Sequence, residues 1–416
     1  MAVQEVATYP DQIREKLAGK TILVIGTSGY GARKVWDIFA DANIKIVLVT
    51  HLVNNYGESK VDTFIWYDYF TNQSDIEKNA RNIIELLGDR IRDIDGCFTF
   101  TETDTPITAA ICNKLGLRGF HFDAAVTARS KQNTYEALRS KPKHDTGSWG
   151  VVKVTSKDDC IQQYNTIKRR FGEASFGEKF GTSMVLMELL EGLSYEVDVV
   201  IYDGKLIAGF VTDIGLYLPK SFACTATCIP SSRSKELQDQ LKTAAHQCCC
   251  KVGLLNGVFN TEFKMTESGP KLVEINGRIG CYRRCIVYQT IYGVILYELA
   301  AAIACGIKPC IPDVPARCFA VGTFLFSKFH GKQFLKEDVK RKLMSLTEAK
   351  DILLEFISEI EEHQGNNDEF PMDFCHLVGI SSTSIQHARQ KLIHLYRDLG
   401  FTETEYDVER FTSVWA

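Results

Sequence analysis

The chain has 416 residues, of which 45% are hydrophobic and 24% are charged, and its formal net charge is -4 at pH 7. This composition is typical of a soluble globular protein with about three domains. The slight negative charge and the absence of a basic tract argue against nucleic acid as the main partner. The apolar runs are shorter than the ~18 residues that cross a bilayer, and the polar N-terminus does not resemble a secretion signal, so we expect neither a membrane partner nor secretion. Fourteen cysteines without such a signal predict free thiols in a reducing compartment, and therefore a cytoplasmic protein.

The first part of the chain alternates buried strands with amphipathic helices. A strand beginning at Lys20, a turn from Gly26 to Gly31 and a helix from Ala32 to Ala42 lead to a second strand that ends at Thr50. Such alternation predicts a parallel sheet covered by helices. The glycines of the turn do not have the GxGxxG spacing, and Thr50 and His51 stand where a ribose-binding acid is expected. An NAD-dependent oxidoreductase is therefore disfavoured.

The rest of the chain is also predicted to be mixed α and β structure. Asp123 is predicted to cap the helix that follows it. The stretch 216–230 has no regular pattern and is expected to border the substrate, and 310–315 reads as a linker. Further strands are predicted at 64–67, 96–100, 149–154, 182–190, 195–201, 206–211, 258–265, 271–276, 318–326 and 375–380, and further helices at 74–87, 106–115, 124–139, 157–171, 233–252, 288–306, 346–363 and 383–399.

The most informative stretch is Gly257 to Arg278, which predicts a hairpin of two strands around a Ser-Gly-Pro turn. Side chains alternate along a strand, so Glu274 and Asn276 share one face, and Glu262 on the partner strand can lie opposite them. Two carboxylates and an amide oxygen suit Mg²⁺ or Mn²⁺ better than zinc. Acids that simply face water are the alternative for such a hairpin.

A second candidate metal site is the group of His246 with Cys248, Cys249 and Cys250. A structural zinc site usually needs a second pair of closely spaced ligands, and no second Cys-x-x-Cys pair completes this one. The sequence therefore favours free thiols on a helix over a zinc site.

Glu262, Glu274, Asn276 and Arg278 follow the order of an acid on one strand and Glu-x-Asn-x-Arg on the next. With this order of residues the sequence resembles the ATP-grasp family, and the resemblance extends over roughly residues 20–326. Within that family it is most similar to the carnosine synthase and L-amino-acid ligase branch. The resemblance implies an α/β and α+β multidomain fold. The implied units are an N-terminal parallel βαβ domain (1–120), a shortened ATP-grasp subdomain A (121–190), a subdomain B with the metal site (191–310) and a small C-terminal α+β unit (311–416).

The resemblance also implies roles for individual residues. Glu262, Glu274 and Asn276 would hold the metal, Arg278 would be catalytic, and Arg283 or Arg284 would hold the carboxylate of the second substrate. Read without the resemblance, the two arginines could equally be a surface pair, and Lys131 a solvated lysine. The implied nucleotide-binding residues are Lys131, Lys141, Gly147, Ser148, Gly150, Glu188, Leu189, Leu190 and Glu196.

The activity implied by the resemblance is that of an ATP-dependent carboxylate-amine ligase. It would form a dipeptide or similar amide through an acyl phosphate and release ADP and phosphate, with ATP and Mg²⁺ or Mn²⁺ as cofactors and amino acids as substrates. A homo-oligomer is possible. One departure stands out, because family members have a further helix and strand where this chain has only Gln132 to Ser140. The alternative is therefore an impaired or inactive homologue that only binds nucleotide or a metabolite.

Overall fold

Two sheets organise the protein in the computed structural model, which describes residues 10–26, 33–53, 56–71, 75–138, 152–173, 186–218, 222–312, 315–356, 373–403 and 406–415. The first sheet has the order β3-β2-β1-β4, and its strand pairs are all parallel. Its strands are β1 (Thr21–Ile25), β2 (Lys45–Thr50), β3 (Thr63–Trp66) and β4 (Gly96–Phe98).

Helices cover both faces of this parallel sheet. On one face α2 (Arg33–Asp41) packs on Ile22 and Val24, and on the other α3 (Ile76–Leu87) and α4 (Thr105–Leu115) pack on the side chains that alternate with them. A strand buried on both faces needs a continuous apolar run, which is why Ile22 to Ile25 is uninterrupted. The predicted parallel α/β unit is confirmed.

Two short helices follow where the sequence predicted a single helix over 124–139. These are α5 (Phe122–Arg129) and α6 (Lys131–Leu138). Ser130 between them is extended, and its hydroxyl accepts a hydrogen bond from the backbone N–H of Asn133 at 3.0 Å, so it caps α6. The cap of α5 is His121, and the predicted capping role of Asp123 is wrong because the helix begins one residue before it.

The second sheet is antiparallel and has the order β11-β12-β10-β7-β6-β5-β8-β9. The strands β8 and β9 form the predicted hairpin, and this hairpin lies at one edge of the sheet. The strands beyond residue 311 extend this sheet through the pairing of β10 with β7. The boundaries of the four units stay a prediction. The strands are β5 (Leu193–Tyr202), β6 (Lys205–Ile214), β7 (Ala226–Ile229), β8 (Gly257–Thr266), β9 (Gly269–Asn276), β10 (Phe319–Phe326), β11 (Ile352–Phe356) and β12 (Asp373–Ser381).

The remaining helices pack around the large sheet and between the two sheets. On the helix α8 (Lys235–Lys251), Cys249 is fully buried, and His246 and Cys250 both contact the carbonyl of Gly204. None of the helices in the described ranges has, by itself, the length and apolarity to cross a membrane. These helices are α1 (Asp11–Leu17), α7 (Lys157–Glu173), α8 (Lys235–Lys251), α9 (Tyr282–Tyr292), α10 (Leu296–Ala304), α11 (Ser327–Phe334), α12 (Glu337–Glu348), α13 (Ile385–Asp398) and α14 (Val408–Phe411).

Several predicted elements are wrong. The predicted helix 288–306 is the pair α9 and α10, which meet at 103° because Gly293 ends α9 in the left-handed region at φ 69°. The stretch 216–230 contains β7, which joins the two halves of the large sheet. The predicted helix 346–363 is replaced at its start by the end of α12 and by β11. Within the predicted strands 149–154 and 182–190, the described residues 152–154 and 186–190 are irregular.

Candidate active site

Polar side chains line one face of the large sheet where β5, β8 and β9 lie side by side. Residues opposite each other on antiparallel strands project to the same face, and so do residues two apart on one strand. The hairpin therefore brings the proposed metal ligands together. The register gives two rows on this face, Glu196, Glu262 and Glu274 in the first and Asp198, Asn260 and Asn276 in the second.

The carboxylates of Glu262 and Glu274 lie within hydrogen-bonding distance of each other. Burial first, and then the charges of Glu274 and Glu196, raise the pKa of Glu262 well above its ordinary value. The ammonium of Lys131 opposes this shift and lies 2.7 Å from Glu274 Oε2. Two adjacent carboxylates of this kind are stable only with a proton or a cation between them.

The donor atoms at this point fit a hard divalent cation. Asn276 donates from Nδ2 to Asn260 Oδ1 at 3.0 Å, and its Oδ1 accepts from Arg278 Nη2 at 3.3 Å. The oxygens of two carboxylates and one amide are of the type that Mg²⁺ prefers, with phosphate or water completing its coordination. Across the described part of the chain, no group of three or more His, Cys, Asp or Glu residues is arranged to hold a metal ion. A site here therefore depends on Asn276 and on ligands from outside the protein.

Arg278 stands between this site and the parallel sheet. Its Nη1 donates to the carbonyl of Ile279 at 2.9 Å, and its Nη2 lies 3.7 Å from Glu102 Oε2. Glu102 belongs to the loop after β4. Burial raises the pKa of Glu102, and the charge of Arg278 opposes the shift. Sequence reasoning missed Glu102, although acids that follow the carboxyl end of a parallel strand commonly face a site.

Arg284 is buried, with an exposed fraction of 5%, so the surface alternative is wrong for this residue. Its Nε donates to Asp198 Oδ2 at 3.0 Å, and its Nη1 is paired with Glu196 Oε2. Burial alone would lower the pKa of Arg284, but Glu196 and Asp198 raise it well above its ordinary value. The fully buried Asp198 also accepts from Asn260 Nδ2 at 3.2 Å and from the Tyr288 hydroxyl at 2.9 Å. Arg284 therefore holds the two rows in place.

Arg283 differs from its neighbour. Its guanidinium carbon lies 4.6 Å from the ring centroid of Phe324 on β10, and the side chain is half-buried. Cys281, which precedes α9, lies beside both arginines. Burial acts to raise the pKa of the Cys281 thiol, but the charges of Arg283 and Arg284 outweigh it and lower that pKa.

The predicted nucleotide-binding residues are only partly described. Lys131 begins α6, whose Tyr135 hydroxyl donates to the Leu272 carbonyl on β9 at 2.7 Å and fixes the helix against the hairpin. Glu196 lies in the acidic row. In the irregular segment before β5, Glu188 and Leu189 are exposed and Leu190 is half-buried. Lys141, Gly147, Ser148 and Gly150 lie outside the described residues.

Comparison with known proteins identifies the domain and a group of relatives. Residues 140–285 match the ATP-grasp domain family. Human carnosine synthase 1 is 30% identical over 440 aligned positions, which cover 95% of this chain and 52% of the relative. The chain thus spans about half the length of the curated relatives that it matches.

Solved structures share the architecture. The L-amino acid ligase from Bacillus licheniformis has a TM-score of 0.69 and 14% identity, with 92% of this chain and 97% of that chain covered. The biotin carboxylase domain of 2-oxoglutarate carboxylase from Hydrogenobacter thermophilus, in complex with MgADP and bicarbonate, has a TM-score of 0.64 and 13% identity, with 95% and 97% covered. At these identities the likeness concerns the fold, and the expected fold class is confirmed. The chain therefore carries a sequence match to the ATP-grasp domain family over residues 140–285, and it is similar in sequence to carnosine synthase over nearly its whole length.

Proposed function

We propose that the protein is an ATP-dependent carboxylate-amine ligase that joins amino acids into a dipeptide or similar amide. The observation that carries this proposal is the acidic pair Glu262 and Glu274 beside Arg278. A divalent cation held by such a pair, together with the arginine, would neutralise and align phosphoryl groups, which is most of what phosphoryl transfer requires. The names of two similar proteins, carnosine synthase and L-amino acid ligase, support the same chemistry.

Glu262, Glu274 and Asn276 would hold Mg²⁺ or Mn²⁺ together with the ATP phosphates. Bound there, the cation supplies charge neutralisation at the transferring phosphoryl group. Lys131 now compensates the charge of Glu274, at 2.7 Å. When a cation takes over that compensation, the ammonium becomes available for a phosphate oxygen. Lys141 and the loop with Gly147, Ser148 and Gly150, together with Glu188 to Leu190 and Glu196, complete the proposed nucleotide site.

The reaction has two steps. A carboxylate oxygen of the first amino acid attacks the γ-phosphorus of ATP as the bond to ADP breaks, which gives an acyl phosphate. The neutral amine of the second amino acid then attacks the acyl carbon, phosphate leaves, and the nitrogen loses a proton. Arg278 stabilises the negative charge that develops in both steps. Glu102, whose Oε2 lies 3.7 Å from Arg278 Nη2, would accept the proton from the nitrogen.

The proposal is tested by ADP release from Mg-ATP with a panel of amino-acid pairs, including β-alanine with histidine, and mass spectrometry of the products. We expect ADP release that depends on the pair, with a matching amide mass. Glu274→Gln and Arg278→Met are expected to lower the rate at least ~100-fold. Glu267→Gln, in the exposed turn of the same hairpin, is the matched control and should keep the wild-type rate. Full activity of Glu274→Gln would refute the assignment.

The second candidate is an impaired homologue that binds nucleotide or a metabolite without turnover. It is favoured by the short stretch Gln132 to Ser140, where the family resemblance implies a further helix and strand. The alignment with human carnosine synthase 1 extends over 440 positions, more than the 416 residues of this chain, so the relative has residues without a counterpart here. No ADP release with any pair, with release after a longer segment is inserted between Ser140 and Lys141, would establish this alternative.

A further inference from the structure

Two asparagine amides lie side by side in the second row of the acidic face. Asn260 on β8 stands between Asp198 on β5 and Asn276 on β9, which are its direct neighbours in the strand register. Both amides are buried, with exposed fractions of 2% for Asn260 and 3% for Asn276. An amide has a hydrogen-bond donor on one side and an acceptor on the other. In a buried position the neighbouring groups therefore determine which side faces which strand.

Two carboxylates determine the orientation of the Asn260 amide. Its Nδ2 donates to Glu196 Oε2 and to Asp198 Oδ1, each at 3.2 Å. Both carboxylates are ion-paired with Arg284, and an ionised carboxylate can only accept a hydrogen bond. The opposite orientation would lose both hydrogen bonds and place the Asn260 oxygen against carboxylate oxygens. The donor side of Asn260 therefore faces β5, and its oxygen faces β9.

This orientation in turn determines that of Asn276. The oxygen of Asn260 can only accept, and it accepts from Asn276 Nδ2 at 3.0 Å. The Asn276 oxygen is thereby turned the other way, where it accepts from Arg278 Nη2 at 3.3 Å. Only the oxygen of an amide is a ligand for a hard cation such as Mg²⁺. The contact with Asn260 thus presents the useful atom of Asn276 on the side of Arg278.

We propose that Asn260 is a positioning residue that fixes the amide of Asn276 with its oxygen available to Mg²⁺ or Mn²⁺. This inference rests on the proposed function, because Asn276 is a metal ligand only in that proposal. Asn260 would not bind the cation itself, since its oxygen is engaged by Asn276. Without Asn260, the longer contact with Arg278 would be left to orient the amide. Groups that orient a metal ligand typically change the metal affinity by about 10- to 100-fold.

Position 260 requires both a donor and an acceptor, which decides the choice of variants. Aspartate could accept from Asn276, but it could not donate to Glu196 and Asp198, and it would add a negative charge beside them. Alanine removes the donor and the acceptor without adding charge. Serine keeps a hydroxyl that can still accept a hydrogen bond. Asn260→Ala and Asn260→Ser therefore remove the proposed role in two steps.

The test measures Mn²⁺ binding without nucleotide, from the loss of the electron paramagnetic resonance signal of the free ion. We expect Asn260→Ala to weaken binding about 10-fold or more, and Asn260→Ser to weaken it less, roughly 2- to 5-fold. Thr261→Val is the matched control, because Thr261 is equally buried in β8 but projects from the opposite face, where its Oγ1 donates to the Val197 carbonyl at 3.0 Å. It loses a hydrogen bond in the same strand and should keep the wild-type Mn²⁺ affinity. Urea unfolding checks that each variant is folded.

The decisive comparison repeats Asn260→Ala in a chain that also carries Asn276→Asp. A carboxylate has an oxygen on both sides and needs no orientation, so Asn260→Ala should then change the Mn²⁺ affinity by less than about 2-fold. A loss of the same size in both backgrounds would overturn the inference, because it would mean that Asn260 supports the strand and does not orient the ligand. Absence of Mn²⁺ binding by the wild type would overturn it as well.

A failure of the ligase function is distinguishable from a failure of this inference, because the Mn²⁺ titrations need no turnover. The expected pattern of affinities, found in a protein that releases no ADP with any amino-acid pair, would support the role of Asn260 and refute the ligase. Pair-dependent ADP release together with equal losses of Mn²⁺ affinity in the two backgrounds would support the ligase and refute the role of Asn260.

Discussion

The buried arginine Arg284 is expected to stabilise the fold, while its neighbour Arg283 is not. In Arg284→Met the carboxylates of Asp198 and Glu196 lose their counter-charge, and Asp198 is fully buried. Removing one partner of a buried ion pair costs about 3–5 kcal/mol. Asp198 keeps hydrogen bonds from Asn260 and Tyr288, so we expect a loss of about 3 kcal/mol in the free energy of unfolding.

Urea unfolding followed by tryptophan fluorescence measures this loss. The double variant Arg284→Met with Asp198→Asn removes both charges, so we expect it to be more stable than the sum of the single effects predicts, by about 1–3 kcal/mol. Arg283→Met serves as the control and should lose less than about 1 kcal/mol. If Arg284→Met unfolds within 1 kcal/mol of the wild type, or if the two substitutions are additive, the reasoning on this buried pair is wrong.

Three further predictions concern the surroundings of the site. Burial raises the pKa of Asp104 to about 7, so its stabilising contribution is complete below about pH 4 and is lost as the pH rises to 7. Asp104→Asn should therefore be more stable than the wild type at pH 8, by at most about 4 kcal/mol. The same difference in stability between variant and wild type at pH 5 and at pH 8 would contradict this. Gly322→Ala should displace His376 and lower stability by about 1–3 kcal/mol in urea, and an unchanged stability would argue against that tight contact. Lys131→Met should bind Mg²⁺ more tightly in calorimetry without nucleotide and raise the KM for ATP, whereas unchanged Mg²⁺ affinity would mean that Lys131 does not compete with the cation.

Local patterns predicted the parts of the structure that depend on local rules. The strands of the β8–β9 hairpin alternate, and their pairing places Glu262 opposite Glu274. The predicted helix 106–115 matches α4, which ends at Gly116 in the left-handed conformation. The break at Gly293 was missed because the apolar run continues on both sides of it. The strand β7 was missed because it is short and is specified by pairing with β10, which lies far along the chain.

In the site, too, local patterns predicted some features and long-range contacts determine the others. Alternation predicted which side chains of the hairpin share a face, and the same rule could have found Asn260, two residues before Glu262. The burial of Arg284 depends on Asp198, 86 positions away, and Glu102 reaches Arg278 from the other sheet. Nothing in the local sequence around Arg283 and Arg284 distinguishes the arginine that binds the acidic rows from the one that stacks on Phe324. Long-range packing alone gives the two neighbours different roles.

The most direct test of the proposed chemistry is the fate of oxygen from the substrate carboxylate. The first amino acid, labelled with ¹⁸O in its carboxylate, is incubated with Mg-ATP and the second amino acid, and the released phosphate is analysed by mass spectrometry. An acyl phosphate transfers one labelled oxygen to phosphate for each amide formed, and this is the result that we expect. Amide formation with unlabelled phosphate would contradict the acyl-phosphate route, and ADP release without any amide would contradict the ligase function itself.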